Sequence, residues 1–363
     1  MTNIEDTLKN IFLILCAFFV ILILYITHYM SAFLVPIFFG FFVSLMLQPL
    51  LIRMSRTKIP TWISTIIVVI LSVSLISAFI FLLFVTFQNF LEDFPNLSEA
   101  IQKRLLNLLS DVSKLPIVKE YFSEQKLKTS IFELFAKMNF GAYLMLSMSK
   151  TISIIKDFLV FIFSLVFIIP GINKISSRIS RAYPENSSKI NKIISNIIQQ
   201  IQRYMVVKSV ISLITGALTF LICYLFGVRY SILWGSVAFL FNFVPYIGSI
   251  IAVILPVTMS LIESSAIIKP VFLLISLTTL QQVLGNLLEP KFQSQSSNLS
   301  SIVVFTSLFA WGYIWGVAGI FLAVPLMSAL NVICENISVL KPIHYLISIK
   351  KRKKKKRGLN ATI

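Results

Sequence analysis

Long apolar runs, separated by short polar joints, make up most of this chain. The first covers residues 11–26 and ends at the polar triplet Thr27, His28 and Tyr29. The second, 31–52, follows so closely that the two predict a helical hairpin, with Pro36 near the start of the second arm. The third, 59–91, opens on Pro60 and Trp62 and carries no charge. At about 1.5 Å per residue this run exceeds a hydrocarbon core of about 30 Å, so its end is expected to project from the membrane. Residues 92–150 break the pattern: charges of both signs nearly balance, and no run is long enough to span. There Phe94, Leu97, Ile101, Leu105, Leu108 and Val112 recur at three- and four-residue steps, which predicts an amphipathic helix within a small helical insert.

Apolar patterning resumes at 151–169 and stops at Pro170 and Gly171. In the polar stretch that follows, Ile190, Ile194, Ile197, Ile201 and Met205 mark one apolar stripe, while Lys192, Gln199, Gln200, Gln202 and Arg203 form the other face. Such a helix either lies among lipid headgroups or acts as a gate or coupling element. A span at 209–228 contains Thr215, Gly216 and Ala217, small residues suited to close helix packing. Residues 230–262 are uncharged for 33 positions but interrupted by Pro245 and Pro256. After a span at 271–288, the run 292–334 covers 43 residues, too many for one crossing, and is broken by Trp311, Gly312, Trp315, Gly316, Gly319 and Pro325. The segment Gly248-Ser-Ile-Ile-Ala-Val before Pro256 echoes Gly319-Ile-Phe-Leu-Ala-Val before Pro325, an echo short enough to arise by chance.

Composition fixes the class. Of 363 residues 57% are hydrophobic and 13% charged, with a mean hydropathy of +0.89, against about a quarter charged in water-soluble domains. Continuous rather than alternating runs exclude porin-like strands. The expectation is an all-α polytopic membrane protein with about eight membrane segments. The net charge of +18 sits mostly in short loops and in a terminal basic cluster (Lys350, Arg357 and the six basic residues between them). That placement reads as topology control and contact with anionic lipid rather than as a nucleic-acid surface. Arg53, Arg56 and Lys58 place the first loop, and hence the N-terminus, in the cytoplasm. The start MTNIEDTLKN lacks the basic region and cleavage site of a signal peptide, so the first run is expected to remain as a membrane helix. With both termini cytoplasmic the crossings must be even in number. Eight full spans satisfy this, and so do six spans plus two re-entrant hairpins at 230–262 and 300–334.

The expected layout is an N-terminal scaffold over 1–91, an extracytoplasmic insert over 92–150, and a fourth span with the basic amphipathic helix over 151–208. A transport unit over 209–340 and a basic tail over 341–363 complete it. Candidate chemistry concentrates in the transport unit. Eight of twelve glycines lie from Gly216 to Gly319. Irregular backbone at membrane depth is tolerated only where protein or a wet cavity satisfies it, and paired interrupted segments point to a transport site. The break Asn242, Pro245, Tyr246 and Gly248, with Gln282, Asn286 and Glu289 spaced four and three apart on one helical face, offers amides suited to an uncharged hydroxylated solute. The same amides could instead simply link helices. Pro290, Trp311, Gly312, Gly316, Gly319 and Pro325 are candidate hinge or gating positions. No nucleotide-binding GxxxxGK[ST], HExxH or GxSxG pattern occurs, so neither enzymatic activity nor a cofactor is expected. Scattered Cys16, Cys223 and Cys334, with distant His28 and His344, predict no metal site.

The motifs Asn242-Phe-Val-Pro-Tyr-Ile-Gly248, Gln282-x-x-x-Asn286-x-x-Glu289-Pro290, and Trp311-Gly-x-x-Trp315-Gly316-x-x-Gly319 with Ala323-x-Pro325, in that order, resemble the AI-2E family of PerM-type permeases. The resemblance extends over nearly the whole chain and is specific from about Gln200 onward. It implies a bacterial inner-membrane protein of about eight segments that forms homo-oligomers, with pentamers the reported arrangement, and moves a transport unit against a scaffold. It also implies export of a small polar solute such as autoinducer-2, by a secondary or facilitative mechanism. A monovalent cation/proton antiporter and a non-transporting membrane scaffold are the alternatives. After Pro290 the stretch Lys291-Phe-Gln-Ser-Gln-Ser-Ser-Asn lacks the glycine turn and proline usual in the family, which puts the substrate in question.

Overall fold

A computed structural model of the protein describes residues 2–55, 59–94, 97, 151–264, 266–293 and 299–348. Most of the helix expected from Phe94 to Val112, the rest of the insert, and the basic cluster at 350–357 lie outside the described residues. Among those described there is no strand, only an isolated bridge between Leu299 and Ser348.

Helices α1 (Thr2–Tyr29) and α2 (Ser31–Ser55) follow one another across Met30 with little packing between them, so the expected helical hairpin is not seen, and α3 (Thr61–Glu92) starts directly after Pro60. Helix α4 (Thr151–Ala182) does not end at Pro170 but runs on, bending by 56° between Ile172 and Lys174. Proline removes one backbone donor and crowds the preceding turn, and here it kinks the helix without stopping it. Helix α5 (Ser187–Leu225) is one 39-residue rod that joins the basic amphipathic stretch to the next span. The sequence boundary drawn at 208/209 therefore falls inside a continuous helix, which has neither proline nor glycine before Gly216 to interrupt it.

Helices α6 (Ser231–Phe241) and α7 (Ile247–Glu263) follow. Helix α8 (Ile268–Gln281) passes into a π-helical turn, Gln282–Leu288, and the short α9 (Glu289–Gln293). Helix α10 (Ser301–Asn336) and α11 (Lys341–Ile347) complete the order. Five helices, α2, α3, α5, α8 and α10, are long and apolar enough to cross a membrane, and the bent α4 makes six. The protein is an all-α polytopic membrane protein.

Two segments turn back on themselves. Helix α6 has 11 residues, about 16 Å, half of what a crossing needs. The residues bracketing α6 and α7 touch: Arg229 Nε lies 3.2 Å from Glu263 Oε1, and the Arg229 amide donates to Oε2. Both ends of α6–α7 thus emerge at the same end of the molecule. Gly248 packs onto the Phe241 carbonyl, where a Cβ would lie 1.9 Å from the oxygen.

Helix α10 repeats this arrangement. Gly316 adopts φ 62°, ψ −145°, a region essentially reserved for glycine, and divides α10 into two arms. A Cβ on Gly319 would meet the Trp311 carbonyl oxygen at 1.9 Å, and one on Gly312 would meet Ile320, so the arms run antiparallel. The start of α10 also returns to the chain end, where the Ser300 amide donates to the Ile347 carbonyl. The short α6 and the fold of α10 at Gly316 fit the six-plus-two arrangement: with α10 counted as a hairpin, α2–α5 and α8 are the helices of spanning length, and the 28-residue α1 makes six. Labelling with a membrane-impermeant maleimide tests the first hairpin. Arg229→Cys and Glu263→Cys are expected to react from one side in either arrangement, so the turn between α6 and α7 discriminates: two full spans would expose Ser249→Cys to reagent added on the opposite side, whereas a hairpin that turns back inside the membrane leaves it unreactive from that side.

Three apolar clusters hold the framework. Leu47, Leu51, Val68, Phe161, Leu165 and Ile169 join α2, α3 and α4. Cys223, Trp234, Val253, Met259, Leu273 and Leu277 seat the first hairpin between α5 and α8. Phe42, Leu45, Tyr204, Met205, Trp315 and Leu322 tie α2 and α5 to the second. Helices α5 and α6 approach most closely at Gly216 and Gly235, where a Cβ on either would lie 2.8 Å from the other's carbonyl oxygen.

Candidate functional site

The tip of the first hairpin rests against both arms of the second. Phe241, at the end of α6, lies 5.7 Å from Phe321 of the second hairpin, ring centre to ring centre. Val244 packs with Leu308 and Ala323, one from each arm of α10. Irregular backbone at such a position needs protein partners for its polar groups. A side-chain bond ties the tip to α5, Asn242 Nδ2 donating to Ser212 Oγ at 2.8 Å.

Tyr246 sits in a strained turn. Its φ of 64° and ψ of −60°, with the Ile247 amide donating to the Pro245 carbonyl at 2.7 Å, make a γ-turn of the rare positive-φ kind. A non-glycine residue held there costs on the order of 1–3 kcal/mol, and such strain persists where the surroundings impose it. The tyrosine ring is 56% exposed, so the tip presents it outward rather than burying it.

Helix α5 faces this tip with a buried polar stripe. Lys208, Ser212, Thr215 and Thr219, spaced four, three and four apart, are all buried, and so share one face. Thr215 Oγ1 donates to the Ile211 carbonyl, while Thr219 Oγ1 has no partner. One turn before Ser212, Lys208 Nζ donates to Glu289 Oε1 at 2.6 Å, with side-chain exposures of 5% and 19%. This ion pair links the middle of α5 to the segment just beyond the π-helical turn. Ionisable groups buried at membrane depth are costly and mark functional sites by default.

The π-helical turn alters one expectation. Its i→i+5 bonding spoils the α-helical spacing that would set Gln282, Asn286 and Glu289 on one face. Gln282 is exposed and Glu289 is half-buried against α5; the side chains of Asn286 and Pro290 lie outside the described residues. Of the other candidates, Pro245, Gly248 and Tyr246 form the first tip, and Trp311, Gly312, Gly316 and Gly319 form the second. The Trp315 indole donates to the Thr27 carbonyl of α1 at 2.9 Å, and Pro325 is buried inside the returning arm.

Sequence reasoning missed Lys208 and Ser212. Lys208 is one of many basic residues in its region and was indistinguishable from loop charge by count. The four-three-four spacing with Ser212, Thr215 and Thr219 is the signal that separates it.

A second polar cluster closes the opposite end of the first hairpin. Tyr230 donates its hydroxyl to Asp93 at the end of α3, and the Trp234 indole donates to the Arg229 carbonyl. Burial, then the Asp93 carboxylate, push the Tyr230 phenol up to about 12, so it remains a donor throughout the neutral range. Phe90 meets both the Tyr230 and Trp234 rings edge to face. The cluster fastens the hairpin to α3.

The chain is also similar to known proteins. Residues 12–338 match the model of a family described as AI-2E family transporter. A protein of Haemophilus influenzae named "Putative transport protein" is 28% identical over 305 residues, 83% of this chain and 86% of that one. One of the same name in Borreliella burgdorferi is 32% identical over 231 residues, 62% of this chain and 63% of its own length. The AI-2 transport protein TqsA of Escherichia coli is 26% identical over 353 residues, 94% of this chain and 97% of that one.

Proposed function

This chain belongs to the AI-2E transporter family, and from that premise we propose that it is a permease exporting a small, uncharged polar solute by a secondary or facilitative mechanism. The observation that carries the reading is the packing of the first hairpin's tip on the arms of the second, beside the polar stripe of α5, with Asn242 bonded to Ser212 and Tyr246 held strained and exposed. Amides, hydroxyls and a phenol bind hydroxylated solutes without a net charge, and the Lys208–Glu289 pair is itself neutral overall. The orientation that fits the basic loops has both termini in the cytoplasm of a bacterium, with the first hairpin entering from outside and the second from the cytoplasm.

Autoinducer-2 is the first solute to test, because a relative covering nearly the whole chain is named for its transport. In loaded proteoliposomes the unaltered protein is expected to release it. Asn242→Leu and Tyr246→Ala should cut efflux at least about tenfold, equivalent to about 1.4 kcal/mol, while keeping the protein folded. Full efflux in both variants excludes the tips as the site. A cation antiporter is less well supported, since Lys208 already occupies the Glu289 carboxylate.

A further inference from the structure

A concavity of mixed apolar and polar lining lies away from the hairpin tips. Pro49, Ile52 and Arg53 at the end of α2 face Gln199, Gln202, Arg203 and Val206 of α5 across a cleft of about 500 Å3. Its depth follows from helix length. Ser31 to Arg53, and Arg203 to Leu225, are each about 22 residues apart, or about 33 Å, close to a hydrocarbon thickness of about 30 Å. Both guanidiniums therefore sit where hydrocarbon gives way to headgroups.

No carboxylate lines the cleft, and among the described residues neither Arg53 nor Arg203 pairs with an acid. The bent arm of α4 is also cationic, with Lys174, Arg178 and Arg181 around another depression. Two guanidiniums lining one cleft offer forked hydrogen bonds that match the oxygens of a phosphate. Glutamine amides donate to and accept from the hydroxyls of a headgroup. Proline, isoleucine and valine in the same wall suit the start of an acyl chain.

We propose that this cleft binds an anionic phospholipid, with Arg53 and Arg203 on the phosphate and Gln199 and Gln202 on the polar headgroup. A free phosphate ester shares the headgroup chemistry but lacks the chains.

Native mass spectrometry of the full-length protein, with phosphatidylglycerol, phosphatidylcholine or glycerol phosphate added in turn, separates these cases. Phosphatidylglycerol is expected to be retained in preference to phosphatidylcholine, with glycerol phosphate unable to displace it. The Arg53→Gln/Arg203→Gln variant should lose most of that retention at an unchanged thermal midpoint, since both side chains are exposed. A variant matched in net charge, Lys189→Gln/Lys341→Gln, at exposed positions away from the cleft, should keep it. Equal loss in both variants, equal retention of the two lipids, or displacement by glycerol phosphate would each overturn the proposal.

Discussion

Lys208→Met is expected to destabilise the protein by about 3 kcal/mol or more, and Glu289→Leu by more still. Removing one partner of a buried ion pair strands the other charge, at a typical cost of about 3–5 kcal/mol. The asymmetry follows from burial: the lysine side chain is 5% exposed and the glutamate 19%, so a stranded ammonium regains less water than a stranded carboxylate. The Lys208→Met/Glu289→Leu double variant should recover most of the lost stability, because replacing both charges with apolar groups is often neutral or better. Thermal midpoints of the detergent-purified proteins measure both effects. Efflux then separates structure from function. A double variant that folds well but transports nothing assigns the pair to transport, whereas one that folds and transports normally reduces it to a link between α5 and α9. Two silent single variants would contradict the buried pair altogether.

The number and order of apolar segments were readable from the chain because spanning length and loop charge act through local composition. The hairpins were not, because a return to the same side is a tertiary fact. Arg229 and Glu263, the charges bracketing the stretch from Tyr230 to Ile262, are visible in the sequence, yet their contact is visible only once α6 and α7 fold back. The echo of Gly248-Ser-Ile-Ile-Ala-Val in Gly319-Ile-Phe-Leu-Ala-Val carried a weak signal that the structure explains: Gly248 and Gly319 do the same job, each packing onto the carbonyl of a preceding aromatic residue. Ala252, Val253, Ala323 and Val324, which follow in the same register, are all buried. The amide face failed for a different reason. Spacing of four and three defines a face only while bonding stays i→i+4, and the turn Gln282–Leu288 bonds i→i+5. Lys208 was obscured by its neighbours, since a stretch containing Lys189, Lys192 and Arg203 makes one more lysine look like loop charge.

Gly319→Ala and Gly248→Ala should damage the protein more than any other single methyl group added to it. In both, the new carbon would lie 1.9 Å from a backbone carbonyl oxygen and 2.6 Å from its carbon. A flexible side chain could rotate away from such a clash, but the Phe241 and Trp311 carbonyls are fixed by their own helices. The arms must separate by more than about 1 Å to restore ordinary contact near 3.4 Å, at a cost above the usual 1–3 kcal/mol of overpacking. Separation at either tip also pulls apart Phe241 and Phe321, so each change should disable the meeting point of the hairpins as well as the arm that carries it. Gly171→Ala provides the control, because a Cβ there meets nothing within 4 Å; in a helix it is expected to be neutral or stabilising by about 0.5–1 kcal/mol. Thermal midpoints and efflux, measured on all three, should fall sharply for the two tip variants and hold for the control. Normal folding and transport in Gly319→Ala would mean that α10 does not double back at Gly316, and the two-hairpin arrangement would fall with it.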